Sequence, residues 1–460
     1  MARRRTYTPP FDLRVERLEP KGMGAGEHEG RTVLVRGVAP GALVLVRPFR
    51  RKRGVLHTRR VGLVEAAPDA VQPRCAAFGT CGGCVLQEAP LEAQRAAKVS
   101  LVHRSVGSLE GVLLHPPVGR DAAYGYRNRV ELTYGNRRYL SDDEVREGVS
   151  NQGRYIGFHA PGRFDRIVDV DRCELVSEGM NALIAVARSH LLASAFEPWD
   201  IREHTGFWRH LLLREGQDGD RLVVVFTSPP DDPAAAQAEL EALAAALPEV
   251  GGVVWYVNDR VADAAVGEQR AVLTGRNWLE ERLGHLRFLL APQAFFQTNS
   301  PGAELLYDTV ATAAGSGHRL LDLYCGSGSI ALWLASSFAE VVGVELHAPA
   351  VQDACENAVR NGVTNARFVQ GEVEKVALDL QGDVVVVDPP RVGLHPKAAA
   401  WLASLPATRL VYVACNPTSL GRDREILEAG GWELQELWTV DMFPQTGHVE
   451  AVARFDRVRG

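Results

Sequence analysis

The apolar run Leu410-Val411-Tyr412-Val413-Ala414 ends in Cys415, and Asn416 and Pro417 follow at once. A thiol at a strand end is inert filler or a nucleophile, and at the carboxyl end of a parallel strand the second role gains weight. Its neighbour in such a sheet would be the strand Val384-Val385-Val386-Val387, which exits through Asp388, Pro389, Pro390 and Arg391. Two prolines directly after a buried strand stop the ladder and stiffen the exit, so Asp388 and Arg391 are presented to the same crevice; an ordinary Pro-rich exit is the plainer reading. Upstream, Asp322-Leu323-Tyr324-Cys325-Gly326-Ser327-Gly328-Ser329 joins a strand to a helix. Its glycines let the backbone approach a ligand, and Glu345, ending the next strand, can accept hydrogen bonds from ribose hydroxyls. G-S-G-S-I-A also satisfies the dinucleotide pattern. Asp322 argues for a cationic ligand instead, because a carboxylate suits the methionine end of S-adenosylmethionine and is a poor neighbour for a pyrophosphate.

A second group of chemistry-bearing residues lies early in the chain. Of seven cysteines, Cys75, Cys81 and Cys84 stand in the pattern C-x5-C-x2-C, and Cys173 follows after 88 further residues. Seven is too sparse for a disulfide framework. Four thiolates suit zinc or iron–sulfur equally in geometry, and the spacing is closer to the ferredoxin type than to paired zinc-ribbon motifs.

The elements that must hold these residues fall into three stretches. Residues 11 to 66 alternate with period two in RTVLVRG and ALVLVRP, broken by glycine and proline about every ten residues, which predicts a small β-barrel over residues 1–66. Residues 67–290 mix strands such as RNRVELTYG and RLVVVFTS with an alanine-rich helix that Pro229 to Pro233 would start. From residues 291–460 strands and helices alternate, and almost wholly apolar strands imply burial on both faces. The expected fold class is therefore α/β, with a doubly wound, Rossmann-like domain at the end of the chain.

Charge separates the stretches too. The net charge is −6, but residues 1–66 carry 15 basic against 6 acidic residues, leaving −15 elsewhere. From Arg47 to Arg60 there are seven basic residues, no acid, and Phe49 among them, a pattern suited to a polyanion such as RNA. No run of 18 apolar residues occurs, and the basic start leads into Pro9 and Pro10 rather than an apolar stretch. A cytoplasmic protein without a membrane span or secretory signal is expected.

In order, FFQTN, DLYCGSGSIAL, VGVE, VVDPPRVGL, VACNP and FPQTGHVE resemble, motif by motif, the RNA uracil-5-methyltransferases that use S-adenosylmethionine. The resemblance spans nearly the whole chain, with residues 1–66 similar to a TRAM domain, 67–290 to the central iron–sulfur domain and 291–460 to a class I methyltransferase domain. It implies Cys415 as nucleophile and Glu450 as base. It also implies that Gln297, Tyr324, Ser329, Glu345, Glu372 and Asp388 bind the cofactor, and that Cys75, Cys81, Cys84 and Cys173 hold a [4Fe-4S] cluster. Phe295 and Phe296 are expected to pack in the core. Arg127 and Arg129 resemble the family's central RNA surface. A monomer acting on RNA is expected, 23S ribosomal RNA first and uridine 54 of transfer RNA second. A non-catalytic RNA-binding protein and a dinucleotide oxidoreductase are the readings from other classes.

Overall fold

The computed structural model describes residues 9–376 and 382–458, so the basic start Arg3 to Arg5 lies outside the described residues. The chain divides into two compact units that do not follow chain order. One comprises Met1–Pro73, Gly83–Ala123 and Gly302–Gly460, the other Arg74–Gly82 and Tyr124–Pro301.

The first unit holds two sheets. Six strands, Phe11–Arg14, Leu43–Lys52, Val55–Glu65, Arg31–Arg36, Met23–His28 and Arg17–Glu19, lie side by side in that order. Their alternating residues Leu13, Val15, Val33, Val35, Val44 and Val46 are fully buried together, as period two requires. The sheet curls until the Arg14 carbonyl meets Gly26, where an added Cβ would sit 2.0 Å from the oxygen, so only glycine permits the crossing. Arg50, Arg51, Lys52 and Arg53 form the exposed tip of the longest hairpin, with Phe49 63% exposed beside them.

The second sheet of this unit contains the strands β1 (Gly317–Leu323), β2 (Phe338–Glu345), β3 (Ala366–Gln370), β4 (Val384–Val387), β5 (Arg409–Ala414), β6 (Trp432–Asp441) and β7 (Glu450–Arg457). Their spatial order is β3-β2-β1-β4-β5-β7-β6, and the short strands Leu113–Leu114 and Val118–Gly119 add to the β6 edge. Strands β1 to β5 pair in parallel and β7 runs antiparallel to both neighbours. All four residues of β4 are buried, since helices cover both faces of a doubly wound sheet. The ligand crevice of such a sheet lies outside the carboxyl ends of β1, β2, β4 and β5, and the antiparallel β7 begins at that same edge.

The other unit is a seven-stranded sheet. Its order is Ile167–Asp169, Gln152–His159, Arg129–Arg137, Trp208–Glu215, Arg221–Thr227, Gly252–Val257 and Glu268–Gly275. Helices Glu178–Ala193 and Pro233–Ala246 pack on it through Met180, Leu183, Ala187, Leu240 and Leu243. The second helix starts where the proline-rich segment predicts: Asp232 accepts from the amides of Ala234 and Ala235, and Pro233 occupies the first turn. Among the described residues, no helix is long and apolar enough to cross a membrane.

Candidate active site

The register of β5 against β7 pairs Ala414 with Ala451, so its continuation sets Cys415 across from Glu450. Asp388 leaves β4 beside them, its amide donating to the Leu323 carbonyl at 3.4 Å. The loop from Asp388 to Leu394 is pinned from the helix Pro417–Ala429, which follows β5. Asn416 Nδ2 donates to the Arg391 carbonyl at 3.0 Å, and Asp423 accepts from the Leu394 amide at 2.8 Å and from the Tyr412 hydroxyl at 2.7 Å. Arg391 in turn donates to His448 Nδ1 at 2.9 Å. A guanidinium only donates, so that imidazole nitrogen must carry its lone pair. Asn416, Asp423 and His448 went unread in the sequence as contributors; Asn416 directly before Pro417 was the one local signal, a cap before a helix start.

The electrostatics of this cluster follow from burial and from one cation. Burial, then the charges of Glu450 and Asp388, push the Cys415 thiol up to about 12, against the pull of Arg391. Glu450 is 6% exposed, and burial followed by the Asp388 charge lifts its carboxyl well above the ordinary range, Arg391 again opposing. Asp388 is raised to about 7 by burial. Cys415, Glu450 and Asp388 thus stand together as a set whose neutral forms are favoured.

The glycine loop next to them takes the conformation its composition allows. Gly326 and Gly328 have φ of 55° and 82°, and Tyr324, with φ of 64°, shares the left-handed region. A Cβ on Gly328 would meet Phe368 at 2.8 Å, whereas one on Gly326 would point into open space. Glu345 accepts from the Gly326 amide at 3.1 Å and from the His347 amide at 2.9 Å, so its carboxylate is held at the end of β2. Ser329 opens the following helix with its hydroxyl 2.8 Å from that of Tyr307. Glu372 lies just past β3, exposed and paired with Lys375 at 2.7 Å. An open cradle over Gly326 beside Glu345 and Asp388 suits a cationic ligand with a ribose and disfavours a pyrophosphate.

Asp322 is bonded within the fold. It is fully buried, accepting from the Ala331 amide at 2.9 Å while its other oxygen has no hydrogen-bond partner among the described residues. It fastens the glycine loop to the following helix. Burial, then the Asp388 and Glu345 charges, push it up to about 8, with the Ala331 amide opposing. A carboxyl whose folded pKa exceeds its unfolded value weakens the fold increasingly as pH rises between the two. Asp322→Asn should therefore raise the melting temperature by roughly 5 °C at pH 8, a gain that shrinks as the pH is lowered toward 5. Thermal unfolding across that range checks it, and a pH-independent effect would refute a titrating Asp322.

In the other unit, Asn128 fixes the FFQTN segment, donating from its side chain to the Gln297 carbonyl at 2.9 Å and from its amide to that of Thr298 at 2.9 Å. Arg214, 2% exposed, donates to the carbonyls of Ala291, Pro292 and Ala294. The two phenylalanines part company here. Phe296 is buried 5.3 Å from the Phe288 ring as expected, but Phe295 is 76% exposed, because neighbouring residues on an extended loop face opposite ways. The expectation of core packing fails for Phe295.

The four cysteines form no disulfide among the described residues and are all of intermediate exposure. Cys81 and Cys173 pack against the core of the second unit, and the charge of Cys75 acts on Cys173, whose pKa burial chiefly raises. Among the described residues, however, no three His, Cys, Asp or Glu side chains converge as a metal site. The placement of the thiols therefore lends no support to the iron–sulfur expectation, and no step below runs through a metal.

Comparison with known proteins agrees with the C-terminal sheet. A family model for tRNA (uracil-5-)-methyltransferase matches residues 268–457. An uncharacterized RNA methyltransferase of Chlorobaculum tepidum is 38% identical, over 93% of this chain and 92% of its own. One from Caldanaerobacter subterraneus is 34% identical over 97% and 98%. Among solved structures, the Pyrococcus abyssi tRNA (uracil-54, C5)-methyltransferase in complex with S-adenosyl-L-homocysteine superposes with a TM-score of 0.76. It is 27% identical, covering 97% of this chain and all of that one.

Proposed function

Because this chain belongs to the RNA uracil-5-methyltransferase family, and so transfers a methyl group from S-adenosylmethionine to carbon 5 of uracil in RNA, we propose that it does so through a covalent bond from Cys415 to the base. The observation that carries this reading is the meeting of Cys415, Glu450 and Asp388 at one edge of the sheet, beside the glycine loop. Membership sets aside the non-catalytic and oxidoreductase alternatives.

Carbon 5 of uracil is too weakly nucleophilic to attack a sulfonium methyl unaided. Cys415 Sγ adds as thiolate to carbon 6, and the displaced pair makes the ring an enolate with an electron-rich carbon 5. S-adenosylmethionine supplies the electrophilic methyl, leaving as neutral S-adenosylhomocysteine. Glu450 then takes the proton from carbon 5; that C–H pair re-forms the ring double bond while the carbon 6–sulfur bond breaks and returns the thiolate to Cys415. Arg391, which opposes the carboxylates at both residues, is the cation that favours the thiolate and the ionised base. Glu345 would hold the ribose of the donor, with Tyr324, Ser329, Asp388, Gln297 and Glu372 as further contacts. A stacked base hides carbons 5 and 6, so the target uridine must be flipped out.

Ribosomal RNA is the substrate we favour, on the strength of the TRAM-like basic hairpin and the four cysteines. The transfer RNA alternative draws on the likeness to the Pyrococcus abyssi enzyme. Mapping 5-methyluridine across both RNAs from cells with and without the gene decides between them: loss of a 23S site is expected, and loss of the transfer RNA site alone would overturn the choice. A [4Fe-4S] cluster on Cys75, Cys81, Cys84 and Cys173 rests on resemblance and donor chemistry, and iron and sulfide content of the purified protein decides it.

A further inference from the structure

Glu450 begins β7, but residues 442–449, which lead into it, have no regular secondary structure, and Gln445 sits at φ +68°. A base must be placed to within a fraction of an ångström, so the backbone there needs fixing from outside. The fixing comes from the helix Leu91–Val106. Its Gln94, 1% exposed, donates from Nε2 to the Leu86 and Ala89 carbonyls and to Gln445 Oε1 at 3.0 Å, while Gln94 Oε1 accepts from the Gln445 amide at 2.8 Å. The Gln445 carbonyl accepts in return from the amides of Val85 and Leu86. One turn along, Lys98 is fully buried; its Nζ lies 2.6 Å from Asp441 Oδ1 and 2.9 Å from the Phe443 carbonyl. Gly447 presses on Gly22, leaving no room for a Cβ.

A buried ion pair is a poor way to gain stability, because desolvating both charges offsets their attraction and apolar replacements are often as good or better. What it does supply is a fixed position for the end of β6 and for Phe443 in the loop. We infer that Gln94 and Lys98, with Asp441, are positioning residues that aim Glu450 at carbon 5, so that they govern proton removal rather than thiol addition. This rests on the covalent reading above.

The double variant Lys98→Met, Asp441→Val removes both charges at once and leaves neither unpaired. With total RNA from a strain lacking the gene, its turnover should fall about tenfold or more while an RNA–protein adduct accumulates on denaturing gels. RNA from cells grown with 5-fluorouracil offers no proton at carbon 5, so adduct formation on it should stay within about twofold of the wild type. Gln94→Leu, which keeps the ion pair, should behave alike and serves if the double variant does not fold. Either folded variant resolving its adduct at the wild-type rate overturns the inference, as does an equal loss with fluorinated RNA. Absence of any adduct between the wild type and fluorinated RNA would instead overturn the Cys415 mechanism beneath it.

Discussion

Cys415→Ala is expected to abolish methylation, lowering turnover by about four orders of magnitude or more, while RNA affinity stays within about twofold. The size follows from the chemistry: without a bond to carbon 6, carbon 5 is never made nucleophilic, and no other residue of the site can substitute for a sulfur. The retained affinity follows from placement, since Cys415 follows the end of β5 and the basic hairpin from Arg47 to Arg60 is far along the chain in a separate sheet. Methyl incorporation with labelled donor and filter binding on the same RNA measure both; normal incorporation would remove the covalent mechanism. With its thiol pushed up to about 12, Cys415 rests in its neutral form at pH 7. Addition therefore depends on what the substrates change. A sulfonium placed against Asp388 would cancel one of the charges opposing the thiolate, and protonation of Glu450 would cancel the other.

Glu450→Gln is expected to give the opposite phenotype, a protein that reacts once and stops. Burial favours the neutral form of Glu450, and glutamine is a neutral isostere of that form, so binding and thiol addition should proceed. The amide cannot take the proton from carbon 5, and the methylated ring stays bonded to Cys415. A slow-migrating RNA–protein band stable to denaturation should appear, with steady-state turnover down about a thousandfold. In the wild type, release of product should quicken as pH rises, because only the ionised carboxylate accepts a proton and its pKa lies above the ordinary range. Turnover without any band would count against Glu450 as the base.

The chemistry-bearing residues were legible one by one because each sits at a punctuation mark. Cys415, Asp388 and Glu345 end apolar runs, and a buried parallel strand can only present residues at its carboxyl end. The doubly wound sheet, its apolar strands and the start of the Pro233–Ala246 helix were readable for the same reason, since period and breakers are local properties of the chain. Asp322 shows the limit: its spacing from Gly326 suggested a ligand contact, whereas packing buried it and turned it onto the Ala331 amide. Phe295 and Phe296 are alike in sequence and opposite in exposure.

The order of motifs in the sequence by itself determined the family and the parallel sheet, and it singled out the sulfur and carboxylates proposed for the chemistry. Tertiary structure alone decided which of them meet and in what ionisation state. Cys415 and Glu450 are apart along the chain and become neighbours only through the antiparallel register of β5 and β7, and their raised pKa values come from burial, which no local pattern encodes. The grip of Gln94 and Lys98 on the loop before Glu450 spans more than 340 residues, as in the Gln94–Gln445 bond. Such contacts depend on how separate elements pack, and helix Leu91–Val106 shows nothing in its own sequence of the loop it holds.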